Sequence, residues 1–247
     1  MSWWGKNKPV LLNCYTHRPE VFNYFPIVES RRKIPEWFKK LPSPYYNSPD
    51  DTQQNLKLCP AALGLFSQGF ILPLWSDLFL EIGKKGTDFY KWQYSDNKSH
   101  LRTHHSREWG NHFALDKYQH LKLSSPWFFE CFEKISFLAV EPEWQFDVLD
   151  NLRVLNGVLE FYTQGQTNVN MFFKRQSETE QKIIPCGTPL YKFIPLTERE
   201  VIIKTHLISK KEFDNKNSKM SSISFIRHFE KKRKLLKNKC PYKTTSA

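Results

Sequence analysis

The chain has 247 residues and a mass of 29.5 kDa, room for one large domain or two small ones. Apolar residues make up 40% and aromatics 15%, ample for a packed core, while 9 Gly against 15 Pro exclude glycine-rich phosphate loops and flexible linkers and favour stiff turns. The net charge of +12 points to a polyanionic partner, yet eight Lys or Arg against one Glu fall between Arg227 and Lys243, so the body is only mildly basic.

In chain order, residues 1–55 read as an irregular, Pro-punctuated wrapping segment. Val10 to Tyr15 reads as an early strand. Ile34 to Pro42 reads as a short helix with Pro near its start and another at its end. Leu56 to Gln68 carries Leu58, Ala61, Ala62, Leu65 and Phe66 on one helical face, and Gly69 stands where a helix C-terminus favours glycine. Phe70 to Glu81 is nearly continuous in its apolar character and predicts one strand, with Pro73 marking an edge or bulge. Gly83 to Gly86 turns the chain into a partner strand, Phe89 to Tyr94. Gln119–Leu123, Pro126–Phe132 and Ile135–Val140 predict three further strands.

The stretch Leu155–Leu196 carries the strongest fold signal. Two apolar, β-branched and aromatic runs flank a polar turn, and a third follows the Gly187-Thr188-Pro189 corner. This predicts antiparallel strands closing one half of a sandwich. Glu200–Ile208 adds a strand, Ser209 to Phe213 reads as a capped helix start, and Ser221 to Lys237 as a basic helix. The expected fold is mainly β: a single-domain, jelly-roll-like β-sandwich with short N-terminal helices, core strands over 56–208 and a basic helical tail over 209–247.

Five scattered cysteines without a C-x-x-C pair argue against a disulfide framework or a zinc knuckle. No signal peptide is apparent and no apolar run approaches the ~18 residues that cross a bilayer. A soluble protein of a reducing cytoplasm, with no membrane partner, is expected.

Three constellations could carry chemistry. His100, His104, His105, His112 and His120 lie close together with Glu108 and Asp116. Two His and a carboxylate from His104, His105, Glu108, His112 and His120 could hold a divalent transition metal, as in a cupin, with His206 as a distal ligand. A polar loop of surface and hydrogen-bonding imidazoles is the reading that the segment favours, since it contains no H-x-D and no H-x-H with a correctly placed downstream Glu. Trp75 and Asp77, two residues apart on the predicted strand, could share a ligand face with Lys122 and Trp127. Asn168 and Asn170 fall on one face and could bind a ligand through their amides, or satisfy neighbouring backbone. Arg227, Lys231, Lys232, Arg233 and Lys234 could track a phosphate backbone, with Lys174 or Arg175. Cys186 before Gly187 reads as a corner rather than a nucleophile turn.

Several phrases occur together: Thr16-His17-Arg18-Pro19-Glu20, Ile34-Pro35-Glu36-Trp37, Cys59-Pro60-Ala61, Leu72 to Asp77, Ser124 to Trp127, Asn156-Gly157-Val158, Thr167 to Asn170, and Gly187 to Leu190 followed by Ile194-Pro195-Leu196. Their order resembles a family of uncharacterised proteins of tailed bacteriophages, especially those of marine bacteria. The resemblance implies a viral source and a host cytoplasm, with a virion location open, and no site residues. Gly157 to Leu196 is also similar to the closing half of dUTPase-type enzymes. The corresponding strand has Glu160-Phe161-Tyr162 in place of their catalytic Asp, and the Arg-Gly pair is missing. Three functions follow as expectations: a phage accessory or structural protein acting through binding to a phage or host protein or in a homo-oligomer, a cupin-like metalloenzyme, and a nucleic-acid or nucleotide binder using the basic tail.

Overall fold

A computed structural model describes residues 8–42, 45–48, 51–53, 56–103, 117–145 and 149–220, with Glu230 and Lys234; for 45–48, 51–53 and 219–220 it describes backbone alone. Strand β1 (Val10–Thr16) buries Val10, Leu12, Cys14 and Thr16 on one face and turns Leu11, Asn13 and Tyr15 to the other, the period of two that a half-covered strand requires. Helix α1 (Pro19–Tyr24), strand β2 (Val28–Glu29) and helix α2 (Glu36–Lys39) follow. Pro35 stands at the N-cap of α2, and Phe38 is its buried anchor. Among the described residues, strands β3 (Tyr45–Ser48) and β4 (Asp51–Gln53) pair with each other alone.

The predicted helix over Leu56–Gln68 is shorter. A 3-10 turn at Leu56–Leu58 precedes helix α3 (Pro60–Ser67), because Pro60 offers no N–H to continue a helix and is best placed in a first turn. Gly69 then adopts φ +78, and a Cβ there would collide with the carbonyl of Phe193.

The predicted single strand over Phe70–Glu81 is two strands in different sheets, β5 (Phe70–Pro73) and β6 (Leu78–Ile82). Pro73 lacks a ladder donor, and beyond it Leu74 bonds in both directions to the corner at Gly187 and Thr188. The chain there crosses from one sheet to the next. Strands β7 (Tyr90–Tyr94) and β8 (Leu101–Arg102) lead to β9 (Tyr118–Glu130), which joins the two strands expected at Gln119–Leu123 and Pro126–Phe132. Then come β10 (Phe137–Val140), β11 (Leu152–Val154), β12 (Gly157–Leu159), β13 (Gln166–Lys174), β14 (Glu180–Ile184), β15 (Pro189–Pro195), β16 (Val201–Leu207) and helix α4 (Lys210–Met220).

Two larger sheets face each other. The first runs β11-β13-β9-β1-β16, with β8 paired to β9 beside the end of β1; the second runs β12-β10-β15-β5-β2. A smaller sheet, β14-β6-β7, adjoins them. Among the described residues pairing is antiparallel except between β1 and β16, which run parallel from Val10↔Val201 to Thr16↔Leu207. Strand β1 therefore lies inside a sheet, so the segment 1–55 supplies core strand as well as covering. Leu155–Leu196 does not close one half of a sandwich by pairing with itself. Its strands β12, β13, β14 and β15 are dealt to three sheets, and none pairs with another.

One apolar cluster fills the space between the sheets. At its centre Phe129 of the first sheet meets Phe193 of the second at 5.3 Å between ring centres, and Phe161 touches Phe129, Phe137 and Phe193. All four rings are fully buried, and each contributes about 1.5–3 kcal/mol by leaving water. A second cluster of Phe38, Ala62 and Phe66 packs with Trp37 and Trp144 at the edge. Among the described residues no helix is long and apolar enough to cross a membrane.

Candidate functional site

The outer face of the first sheet is where polar groups converge. On β9 the even-numbered residues point outward: Lys122, Ser124 and Phe128 face away from the core that buries Leu121, Leu123, Trp127 and Phe129. On β13, Asn168 and Asn170 share this face, with Asn168 opposite Ser124 and Asn170 opposite Lys122. Pro126 cannot donate to the ladder, and the pairing slips there, between Gln166 and Asn168.

Helix α4 begins with the expected cap. Glu212 N–H donates to the Ser209 hydroxyl at 3.2 Å, and Ser209 N–H donates back to the Glu212 carboxylate at 3.3 Å, a capping box. The helix docks through Phe213, which packs against His17 at 4.7 Å and edge-on to Phe128 at 6.5 Å. Gly165 lets Phe128 sit there, because any Cβ at Gly165 would occupy the place of the ring.

A cleft lies on each flank of α4, and Gln166 lines both. The first, of about 660 Å³, is walled by Gln164, Gln166, Asn168 and Asn170 on the β13 side and by Asp214, Asn217 and Ser218 on the helix, with Phe128 and Leu159 as apolar floor. The Oδ1 atoms of Asn170 and Asn217 are buried without a hydrogen-bond partner among the described residues. Turning either amide over would leave its NH2 in the same position. The carboxamides of Gln164, Gln166 and Asn168 also make no hydrogen bond to the described protein. The second cleft, of about 560 Å³, is lined by His17, Arg18, Lys98, His100, Arg102, Ser124 and Lys210 against a single acid, Glu20.

The sequence-predicted residues divide sharply. Asn168 and Asn170 line the first cleft. Lys122 stands half-buried on the same face, outside either cleft lining. Trp75 and Trp127 are core residues with 2% and 0% exposure, so they form no ligand face with Asp77 and Lys122. Trp75 sits in the turn after β5, and its indole donates to the Ser99 hydroxyl at 2.8 Å. Asp77 accepts from the Cys186 backbone N–H at 2.7 Å and pins the corner. The Cys186 thiol is pushed above its ordinary range by burial and by Asp77, which suits a corner and not a nucleophile.

His104, His105, Glu108, His112 and Asp116 lie outside the described residues. His120 is buried against the Phe172 ring at 5.4 Å, and His206 stacks on Tyr15 and meets Asn13 Oδ1 at 3.0 Å. Among the described residues no group of three His, Cys, Asp or Glu is gathered around one point. The expected divalent transition metal thus has no ligand geometry in this part of the chain. Arg227, Lys231, Lys232 and Arg233 also lie outside the described residues, and Lys234 is an exposed helical residue. Arg175 is no nucleic-acid contact. It is fully buried and donates to the carbonyls of Gly83 and Phe89 and to Gln119 Oε1 at 2.8, 3.0 and 2.6 Å.

Gln164, Gln166, Asn217, His17 and Arg102 were absent from the sequence expectations. Gln166 could have been added by extending the alternation of Asn168 and Asn170 one step back. Gln164 lies two residues further back, just before β13, and Asn217, His17 and Arg102 reach the two clefts only through the docking of α4 and the pairing of β8. Compared with known proteins, the chain matches no family model and no curated protein.

Proposed function

We propose that this protein acts by binding, and that a hydroxyl-rich ligand seats between β13 and α4 on the outer face of the first sheet. One observation carries the reading: Asn170 on the strand and Asn217 on the helix each bury a carboxamide oxygen without a partner. Leaving such a group unpaired costs about 1–3 kcal/mol, so the site is built for something that brings hydrogen-bond partners. Five carboxamides can each donate and accept, which matches sugar or polyol hydroxyls that do both. The cleft volume falls within the range of small-molecule sites. An accessory or structural role of phage origin, inside a host cell, belongs to this proposal. The phrases shared with tailed-phage proteins support it, as do four described cysteines that are all free. A jelly-roll winding belongs to it as well, supported by two facing sheets around one core, although the parallel β1–β16 pair departs from that pattern.

The test is a thermal-shift screen of the full-length protein against sugars and polyols, with and without charged substituents. A hydroxyl-rich compound should raise the melting temperature, and Asn170→Ala or Asn217→Ala should remove the rise without lowering the unliganded value. The reading fails if no such compound shifts the transition, or if the shift survives both substitutions.

A further inference from the structure

The second cleft has a chemistry the first lacks. It lies across α4, where the outer faces of β8 and β9 meet the start of the helix. Arg18 there is already engaged, by Asp96, by Glu20 and by the Ser99 hydroxyl. Lys98 reaches Glu20 at 3.3 Å, and Lys210 reaches Asp214 at 2.6 Å. Arg102 differs: it is exposed and has no hydrogen-bond or ion-pair partner among the described residues. The register sets it directly opposite Lys122, which also lacks a partner. Two like charges facing across paired strands repel. The arrangement is favourable when an anion sits beside them. Among the other groups in the lining are His17, with its Nδ1 buried and unpaired, the Ser124 hydroxyl, and His100. A guanidinium fork flanked by hydroxyl and imidazole donors is a recognition set for a tetrahedral oxyanion.

We propose that this cleft is a phosphate subsite, and that the ligand is a small phosphate ester of a polyhydroxylated compound. Its phosphate meets Arg102, Ser124 and His17, and its hydroxyl-bearing body crosses Gln166 to the carboxamides of Asn168 and Asn170. The inference rests on the hydroxyl-rich reading for the second half of that ligand and on Arg102 for the first. The two clefts adjoin at Gln166, so one compact molecule can use both. No covalent step is involved.

The experiment is calorimetric titration of the full-length protein with inorganic phosphate, with glycerol, glucose and ribose, with the phosphate monoesters of each, and with a short single-stranded DNA. At least one monoester should bind about tenfold or more tighter than its unphosphorylated parent, the gain expected of a charge-assisted pair. Arg102→Ala should abolish that ratio and weaken inorganic phosphate, while Arg102→Lys should restore part of it. Arg102 is exposed, so folding should be unaffected. Asn170→Ala should weaken monoester and parent alike and leave inorganic phosphate unchanged. Monoesters that bind no tighter than their parents would overturn the subsite, as would a ratio indifferent to Arg102→Ala, binding of the DNA alone, or no binding by any probe. If the ratio responds to Arg102 while Asn170→Ala changes nothing, the phosphate subsite stands and the carboxamide reading falls.

Discussion

The Lys216 ammonium lies 4.1 Å from the centre of the Tyr15 ring and 3.1 Å from the Glu130 carboxylate. Tyr15 belongs to β1, Glu130 to β9 and Lys216 to α4, so one cation ties the helix to two strands that are themselves hydrogen-bonded. The Tyr15 hydroxyl donates to the same carboxylate at 3.0 Å. With Phe213 wedged between His17 and Phe128, this cluster sets the position of α4 and hence the walls of both clefts.

Replacing Lys216 by Met keeps most of the apolar stem and removes the charge. The cation–π contact and ion pair together are worth roughly 1–2 kcal/mol in a half-buried setting. The loss should appear first as local opening of the helix, because few other side chains of α4 are buried. Hydrogen exchange should speed up across 210–220 and stay unchanged in β9 and β13. Uniform acceleration would mean that α4 is not a separately docked unit.

Tyr15 also reports on this cluster. Its phenol is pushed up to about 12, chiefly by burial, then by the hydrogen bond to Glu130 and the charge of that carboxylate. A pKa raised in the folded state gives stability that is present below the unfolded value of about 10 and lost as pH rises toward the folded one. Folding stability should therefore fall between those limits. Glu130→Gln should shift the tyrosinate absorbance transition downward; a transition that stays in place would leave burial as the sole cause.

Asp96 sets the acid side. Burial opposes its ionisation, but hydrogen bonds from Arg18, from the Ser99 hydroxyl and from the backbone of Ser99 and Lys98 outweigh that and hold it below the usual carboxylate range. A depressed pKa contributes stability that is present above the unfolded value near 3.9 and is lost as pH falls through the folded one. Asp96→Asn should cost about 1.5–3 kcal/mol at neutral pH, since Arg18 is 7% exposed and would lose a charged partner. In urea titrations the gap between variant and parent should narrow from about pH 4 downward. A constant gap would assign the cost to packing rather than charge.

How much of this was legible in the sequence follows from the range of the interactions involved. Val10–Thr16 and Val201–Leu207 were readable as strands because their alternation is local. Their parallel pairing was not, since nothing near either strand encodes a partner so far along the chain. The run Phe70–Glu81 misled because β5 is buried on both faces and so shows no alternation to set it apart from β6, and the crossing at Leu74 is held by Gly187 and Thr188, over 100 residues away in sequence. Trp75 looked like a ligand aromatic for the same reason that it is core: a large ring in an apolar run. Asn168 and Asn170 were found because polar residues at alternate positions of an otherwise apolar strand are a local signal. Arg102 and Asn217 carried none.

Arg175 makes the firmest prediction. Its guanidinium holds the carbonyls of Gly83 and Phe89, at the two ends of the β6–β7 turn, and the Gln119 side chain of β9. Burial lowers its pKa, yet an Arg stays protonated far above neutral pH, so the charge remains and its stability comes from these acceptors. Lys in its place keeps the charge and loses the planar fork, so it cannot reach three acceptors lying in different directions. At least one buried carbonyl is left unpaired, at about 1–3 kcal/mol. Arg175→Lys should therefore lower the denaturation midpoint, and Arg175→Met should lower it further by removing every donor. Phosphate-ester and DNA binding should be unaffected in the folded fraction, because the side chain has no exposed surface. A stable Arg175→Met variant that loses ligand binding would place Arg175 in the site and undo its structural assignment.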